Sequence, residues 1–130
     1  MGASFGGLFT FYAFLKRVKL FDRFWMGSPG VFDIGERYLD TLSDVLKSGI
    51  GRDTRIYLSL GALEETAAYE PYRLLSKSYH RMVELFEQHR QENVTVKTER
   101  FEEETHMSVL GLGLTKALRF LYPQSETECQ

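Results

Sequence analysis

Cysteine, long apolar runs and an excess of one charge sign are all scarce in this sequence, and each scarcity excludes a class of protein. The 130 residues contain one cysteine, Cys129, so no disulfide forms within the chain and the fold does not depend on an oxidising compartment. No apolar run approaches the roughly 20 residues that a membrane-spanning helix needs. The formal net charge is -2 with both signs interspersed, which indicates neither nucleic acid nor an anionic membrane as partner.

The N-terminus is apolar but lacks the basic flank and the small-residue cleavage site of a secretory signal peptide. We therefore expect a cytoplasmic protein. An export signal would be missing from this chain if the natural N-terminus lay further upstream.

The apolar content is large enough for one domain with a core. Hydrophobic residues make up 43% of the chain and aromatic residues 14%. No internal repeat or interdomain linker interrupts the pattern. We expect a single domain over residues 1–123 and a polar tail over residues 124–130, because Pro123 stops the last helix.

Hydrophobic periodicity predicts that helices and strands alternate along the chain. Strands are expected at residues 24–26, 55–60 and 94–101. The strand at residues 55–60 is predicted to be mostly buried, and the alternation that opens residues 94–101 is typical of a half-exposed strand near a sheet edge. Helices are expected at residues 8–18, after a capping box at residues 33–36, after Pro71 and at residues 108–122. This alternation is typical of an α/β fold, here about three parallel strands with helices on both faces.

The first residues carry the pattern G-x-S-x-G, with Ser4 at its centre and Gly2 and Gly6 flanking it. This spacing suits a sharp strand-to-helix turn that lifts a serine hydroxyl above a sheet, where small neighbours are needed because the backbone is strained and other chain segments come close. The backbone amide of Phe5 would start the helix and help to bind an oxyanion.

Two further polar positions follow the later strands. Glu64 and Glu65 come after strand 55–60, and His106 comes after strand 94–101. The carboxyl ends of parallel strands meet at one edge of a sheet, which is also where the serine turn would point. The order serine, acid, histidine predicts Ser4 as nucleophile, His106 as its base and one of the two glutamates as the acid. Whether Glu64 or Glu65 has this role is left open by the order alone.

Four segments resemble the esterase family of α/β-hydrolases that includes the trilactone siderophore esterases and the esterase D-like enzymes. They are GASFGGLFTFYAF around the serine, FDRFWMGSPGVF at the next strand, RIYLSLGALEE at the acid and ETHMSVLGLGLTKALRFLY at the histidine. The resemblance implies the C-terminal half of that fold. It also implies hydrolysis of a small-molecule carboxylic ester through an acyl-serine intermediate, with no metal or organic cofactor. Ser4 and His106 carry over by motif position. Glu64 carries over less directly, because some members resemble Ser-His dyads, so a dyad with no acid is an open alternative beside Glu64 and Glu65.

The substrate pocket is expected to involve the loop after Met26. Many members of the family have tryptophans there, whereas this chain has Val31 and Phe32. Ser28 and Phe32 are the predicted pocket residues. The resemblance therefore predicts an ester substrate without identifying which ester.

Only three residues precede Ser4, where the family has a complete N-terminal half that supplies central strands and a second oxyanion donor. We therefore expect the chain to be weakly active or inactive alone, and its sheet to expose an edge through which it could self-associate. The alternative is a non-catalytic fragment or a subunit that needs a partner to complete its sheet. The same residues could also serve a peptidase or an acyltransferase.

A metal site is not expected. His80 and Glu84 lie four residues apart on a predicted helix and could share an ion, but no third ligand is evident near them.

Overall fold

Four parallel strands form one sheet that carries helices on both faces. The computed structural model describes residues 1–16, 19–31 and 37–124. The strands are β1 (Gly2–Ala3), β2 (Arg23–Gly27), β3 (Thr54–Gly61) and β4 (Val94–Phe101), and their spatial order is the same as their order in the chain. The predicted α/β class and all three predicted strands are confirmed. β1 is an additional two-residue strand that ends directly before Ser4.

The helices are α1 (Phe5–Leu15), α2 (Arg37–Lys47), α3 (Glu70–Gln88) and α4 (Val109–Leu121), with a 3₁₀ turn at Ala62–Thr66. Helix α1 begins three residues before the predicted start, because its first backbone hydrogen bond already runs from Leu8 N to Ser4 O. The predicted capping box at residues 33–36 lies outside the described residues. None of the described helices is both long enough and apolar enough to span a bilayer.

Alternate side chains of β2 and β3 point to opposite faces of the sheet, and each face has its own core. Trp25 and Tyr57 face α4 and pack with Ala117 and Leu121. The other face belongs to a larger core that joins the sheet to α1, α2 and α3. Its strand residues are Phe24, Met26, Ile56, Leu58 and Leu60. The near-continuous apolar runs of β2 and β3 are therefore explained by burial on both sides.

The two outer strands differ in character. β4 pairs with β3 over eight residue positions, and all of its side chains are partly buried or exposed, as its sequence predicted for a strand near an edge. β1 pairs with β2 through only two residues. Within the described part of the chain no strand pairs with the other side of β1, so the strand that precedes Ser4 is at the edge of this sheet.

Candidate active site

Ser4 lies between β1 and α1 in a backbone conformation that non-glycine residues rarely adopt, with φ 54° and ψ -121°. The loop after β2 holds this turn from two sides. Ser4 N donates to Gly27 O at 2.8 Å, and Gly30 N donates to Ser4 O at 2.9 Å. The strained turn is thus secured by tertiary contacts as well as by the helix that follows it.

The two glycines of the motif have different reasons to be there. A Cβ atom on Gly2 would lie 2.3 Å from Gly6 O, so no side chain fits at this position. A Cβ atom on Gly6 would meet nothing within 4 Å. Gly7, one residue beyond the motif, is the crowded position in the helix, since its Cβ would be 2.9 Å from Gly27 O. The turn therefore requires a small residue at Gly2 and Gly7 for steric reasons, whereas Gly6 has room for a side chain.

The structure brings Ser4, His106 and Glu64 into one chain of hydrogen bonds. His106 Nε2 is 2.9 Å from Ser4 Oγ, and His106 Nδ1 is 2.7 Å from Glu64 Oε2. A carboxylate can only accept, so in the neutral ring the proton belongs on Nδ1. That tautomer leaves Nε2 as the acceptor for the serine hydroxyl. All three residues were predicted from the sequence, and they come together from positions as far as 102 residues apart.

His106 and its partner Glu64 are both shielded from water. The side chain of Glu64 is fully buried, and that of His106 is 6% exposed. The Tyr72 ring stacks on the imidazole with 4.2 Å between centroids and an interplanar angle of 21°. Shielding strengthens the electrostatic interaction between the carboxylate and the imidazole, because little solvent competes for either group. No sequence signal marked Tyr72, since its contact with His106 depends on how α3 approaches the loop after β4.

The loop that carries His106 is held against the end of β3. Leu63 N donates to Glu104 O at 3.0 Å, so the 3₁₀ turn and this loop are bonded directly to each other. Thr105 and Ser108 form a reciprocal pair that closes the loop, with Thr105 N donating to Ser108 Oγ at 2.9 Å and Ser108 N to Thr105 Oγ1 at 3.1 Å. His106 therefore enters the site from a braced turn at the start of α4.

Glu64 Oε1, the carboxylate oxygen that does not face His106, is also occupied. It accepts from Gly61 N at 3.0 Å and from Ser28 Oγ at 2.5 Å. Ser28, which was predicted to line a pocket, has no exposed surface and instead bonds to the buried carboxylate. Phe32, the other predicted pocket residue, lies outside the described residues.

Glu65 points away from His106 and belongs to a different network. Its carboxylate accepts from Arg100 Nε at 2.8 Å and from Arg100 Nη2 at 2.7 Å, and it lies 2.7 Å from His80 Nε2. The hydrogen bonds from Arg100 are the main reason that the pKa of Glu65 is lowered to about 2. Of the two glutamates considered from the sequence, Glu64 is the one in contact with His106.

The suggested metal pair does not assemble. His80 contacts Glu65, while Glu84 accepts from Arg81 Nη1 at 2.9 Å. Among the residues that the structure describes, no three histidine, cysteine or acidic side chains are grouped so that they could hold a metal ion.

Phe5 is the first residue of α1, directly after Ser4. The first amides of a helix point out of its N-terminus, where the helix dipole favours negative charge. The backbone of Phe5 is thus in the position that the motif predicts for an oxyanion donor, while its side chain is 70% exposed.

An apolar hollow of about 320 Å³ adjoins His106. Its wall is formed by the 3₁₀ turn, the start of α3 and the histidine loop. The aliphatic and aromatic residues of this wall are Leu63, Ala67, Ala68, Tyr69, Tyr72 and Met107. A larger cavity of about 430 Å³ lies near Val94, at the other end of the sheet, and none of the predicted site residues lines it. The hollow is therefore the cavity relevant to the site.

Comparison with solved structures identifies the fold. An IroE-like serine hydrolase from Shewanella oneidensis superimposes with a TM-score of 0.75 at 19% identity, covering 91% of this chain and 37% of its own. The BES protein from Bacillus cereus has a TM-score of 0.74 at 23% identity, and the match covers 92% of this chain and 43% of that protein. The siderophore hydrolase EstB from Aspergillus nidulans has a TM-score of 0.68 at 20% identity, and the match covers 96% of this chain and 50% of that protein. The chain has the fold of the C-terminal part of an α/β-hydrolase.

The α/β-hydrolase resemblance noted in the sequence is thus confirmed at the level of the fold. The chain spans no more than half the length of these three structures. No family model matches the chain, and no curated protein sequence matches it significantly. The sequence identity is low, whereas the arrangement of strands and helices is shared over almost the whole chain.

Proposed function

We propose that this chain carries the catalytic residues of a serine hydrolase that cleaves carboxylic esters through an acyl-serine intermediate. The observation that carries the proposal is the continuous hydrogen-bonded series from Ser4 through His106 to Glu64. The strained turn at Ser4 and the hydrolase fold support it independently. This series has the arrangement of nucleophile, base and orienting acid that acyl-transfer enzymes use.

In the first step, Ser4 Oγ attacks the acyl carbon while His106 Nε2 accepts the hydroxyl proton. A bond forms between Oγ and the carbon, and one electron pair of the carbonyl moves to its oxygen. The Phe5 amide at the N-terminus of α1 would donate to that oxyanion. When the intermediate collapses, the bond to the leaving oxygen breaks, and Nε2–H gives its proton to the departing alcohol. Water then repeats the sequence on the acyl-serine and releases the acid.

Glu64 holds the tautomer on which this sequence depends. Its Oε2 accepts from Nδ1–H, so in the neutral ring Nε2 presents a lone pair to Ser4. When the ring becomes cationic, the buried carboxylate stabilises that charge without having to reorganise. Its role is therefore electrostatic and orienting, and it does not itself accept the proton.

The hollow beside His106 suggests which part of the substrate binds there. Its wall includes the imidazole, which protonates the leaving alcohol, but not Ser4, which retains the acyl group. A volume of about 320 Å³ with mostly hydrocarbon walls suits an uncharged apolar group. We propose a small ester whose alcohol portion is apolar and occupies this hollow.

A second candidate is a subunit that completes its sheet with a second copy of this chain. β1 has an edge to which no described strand pairs, and on the adjoining helix Phe9 is 71% and Tyr12 43% exposed. An open strand edge beside exposed aromatic residues favours association. In this case hydrolysis by the isolated chain would be weak or absent.

The deciding experiment is labelling of the purified chain with a fluorophosphonate probe, located by mass spectrometry. An adduct on Ser4 that disappears in Ser4→Ala and in His106→Ala is the expected result. A panel of esters, peptides and acceptor alcohols then separates esterase from peptidase and acyltransferase activity. A folded sample that gives no adduct would contradict the hydrolase assignment for this chain and leave the second candidate.

A further inference from the structure

Two serines at neighbouring strand ends share a positive φ angle. Ser4 follows β1 with φ 54°, and Ser28 follows β2 with φ 37°. Within the described residues they are the two non-glycine positions with positive φ. A glycine would adopt a positive φ with no steric cost, so the presence of a serine there points to a use for its side chain. For Ser4 that use is the proposed nucleophile. For Ser28 the contact made by its hydroxyl indicates the use.

The side chain of Ser28 has one well-defined contact. Its hydroxyl donates to Glu64 Oε1 at 2.5 Å in a fully buried setting. Its backbone is fixed as well, because Ser28 N donates to Ser59 O at 2.7 Å on the adjacent strand. The hydroxyl is thus held by the sheet and aimed at the carboxylate.

We propose that Ser28 is a positioning residue that keeps Glu64 in the orientation required by His106. The proposal rests on the proposed function, since it assigns a task within the same hydrogen-bond series. With Ser28 and Gly61 N both donating to Oε1, rotation of the carboxylate is opposed and Oε2 is left to His106. Donation to a buried anion is among the stronger protein hydrogen bonds, because water does not compete for it.

The location of Ser28 links both ends of the series. The flanking residue Gly27 accepts from Ser4 N, and Gly30 N donates to Ser4 O. The loop of residues 27–30 therefore fixes the backbone of the nucleophile and, through one hydroxyl, the carboxylate that orients the base. A shift of this loop would disturb the two together.

A double-mutant cycle tests whether Ser28 acts through Glu64. The rate of Ser4 labelling by fluorophosphonate is measured for the natural chain, Ser28→Ala, Glu64→Gln and the double variant. We expect Ser28→Ala to slow labelling about tenfold in the natural background, the rate equivalent of one charge-assisted hydrogen bond. In the Glu64→Gln background we expect less than about a twofold effect, because the group being positioned is already lost. Equal slowing in both backgrounds would overturn the proposal.

Two further variants separate positioning from stability. Ser28→Gly removes the hydroxyl and also relieves the backbone strain, so it should be at least as stable as Ser28→Ala while labelling just as slowly. Ser59→Ala is the matched control, since Ser59 is also buried but its hydroxyl accepts from Trp25 Nε1 and does not contact Glu64. Ser59→Ala should change the stability of the chain without the tenfold loss in labelling rate expected for Ser28→Ala. Labelling by Ser28→Gly at the natural rate would count decisively against a role for the hydroxyl.

Proton NMR gives a readout that does not need a reactive serine. The Nδ1 proton of His106, held against a buried carboxylate, should give a slowly exchanging downfield resonance. In Ser28→Ala it should shift or exchange faster, and in Ser59→Ala it should not. If the natural chain fails to label but shows this pattern, the hydrolase proposal fails while the positioning contact stands. If the resonance is unchanged in Ser28→Ala, the positioning proposal fails whatever the labelling result.

Discussion

Glu64 and Glu65 are adjacent in the chain but belong to separate hydrogen-bond networks. Glu64 is buried with Oε2 at 2.7 Å from His106 Nδ1, whereas Glu65 pairs with Arg100 on the surface. The 3₁₀ turn at Ala62–Thr66 causes this divergence, since consecutive side chains in such a turn point about 120° apart. Two like residues side by side therefore provide a matched pair of variants.

Replacing each glutamate by glutamine tests which one supports the base. Glu64→Gln should slow Ser4 labelling and any ester hydrolysis by roughly 10³- to 10⁴-fold, because an amide in place of the orienting carboxylate favours the wrong imidazole tautomer. Glu65→Gln should remain within about twofold of the natural rate. Kinetic labelling of the two variants in parallel measures this, and equal losses in both would refute Glu64 as the orienting acid.

The surface pair makes a pH-dependent contribution to stability. Glu65 has a folded-state pKa of about 2, below its ordinary value of 4.5, so the folded chain favours its charged form. The stability gained is present above pH 4.5 and is lost as the pH falls towards 2. Because the group is partly exposed, Glu65→Gln should cost less than about 1 kcal/mol at pH 7. Urea denaturation at pH 7 and pH 3 should show this difference shrinking on acidification, whereas the control Glu84→Gln should show little difference at either pH. A Glu65→Gln deficit that stays constant with pH would argue against the assigned shift.

The neighbouring glycines of α1 should respond oppositely to alanine. Gly6→Ala places a methyl group in open space and removes a flexible residue from a helix, which should stabilise the chain by up to about 1 kcal/mol. Gly7→Ala drives a methyl group towards Gly27 O and Pro29 Cα, which should destabilise it by about 1–3 kcal/mol. Chemical denaturation of both variants measures this, and Gly6→Ala should still label at Ser4. Similar stability changes for the two would mean that the loop after β2 does not constrain α1 as described.

The apolar hollow predicts that esters of apolar alcohols are preferred over esters of polar alcohols. Among acetate esters, those of apolar alcohols such as hexanol should have a higher kcat/KM than those of glycerol or choline, because the wall offers almost no polar partners. Ala68→Glu should reduce this preference by placing a charge at the hollow. For esters that share one alcohol and differ in the length of the acid, Ala68→Glu should change kcat/KM by the same factor. If Ala68→Glu altered acyl preference instead, the hollow would hold the acyl group.

The open edge of β1 and the exposed residues Phe9 and Tyr12 of α1 predict concentration-dependent self-association. Phe9→Lys should weaken it, because Phe9 is 71% exposed and a charge there opposes burial against a second copy. Leu20→Lys is the control, since Leu20 is 84% exposed and lies in the turn before β2 and not in α1. In sedimentation velocity, the sedimentation coefficient should rise with protein concentration for the natural chain and for Leu20→Lys, but not for Phe9→Lys. A natural chain that stays monomeric throughout would remove the second candidate function.

Local sequence was sufficient wherever one segment could decide the outcome. The apolar runs of β2 and β3 predicted strands, the alternation in β4 predicted an edge, and the glycines around Ser4 predicted a tight turn, because each of these depends on neighbours within a few residues. The predicted start of α1 was three residues too late, because the prediction relied on hydrophobic periodicity. Periodicity marks where apolar residues repeat, whereas the helix begins at the first backbone hydrogen bond.

What the sequence alone determined was a set of candidate residues in a fixed order: a serine at a glycine-flanked turn, then an acid and a histidine, each after a predicted parallel strand. Which of Glu64 and Glu65 contacts His106, the stacking of Tyr72 on His106 and the bond from Ser28 to the carboxylate were decided only by the tertiary structure. The physical reason is that these contacts join residues between 34 and 42 positions apart in the chain. Their geometry is set by how separate elements pack, and no local pattern records that packing.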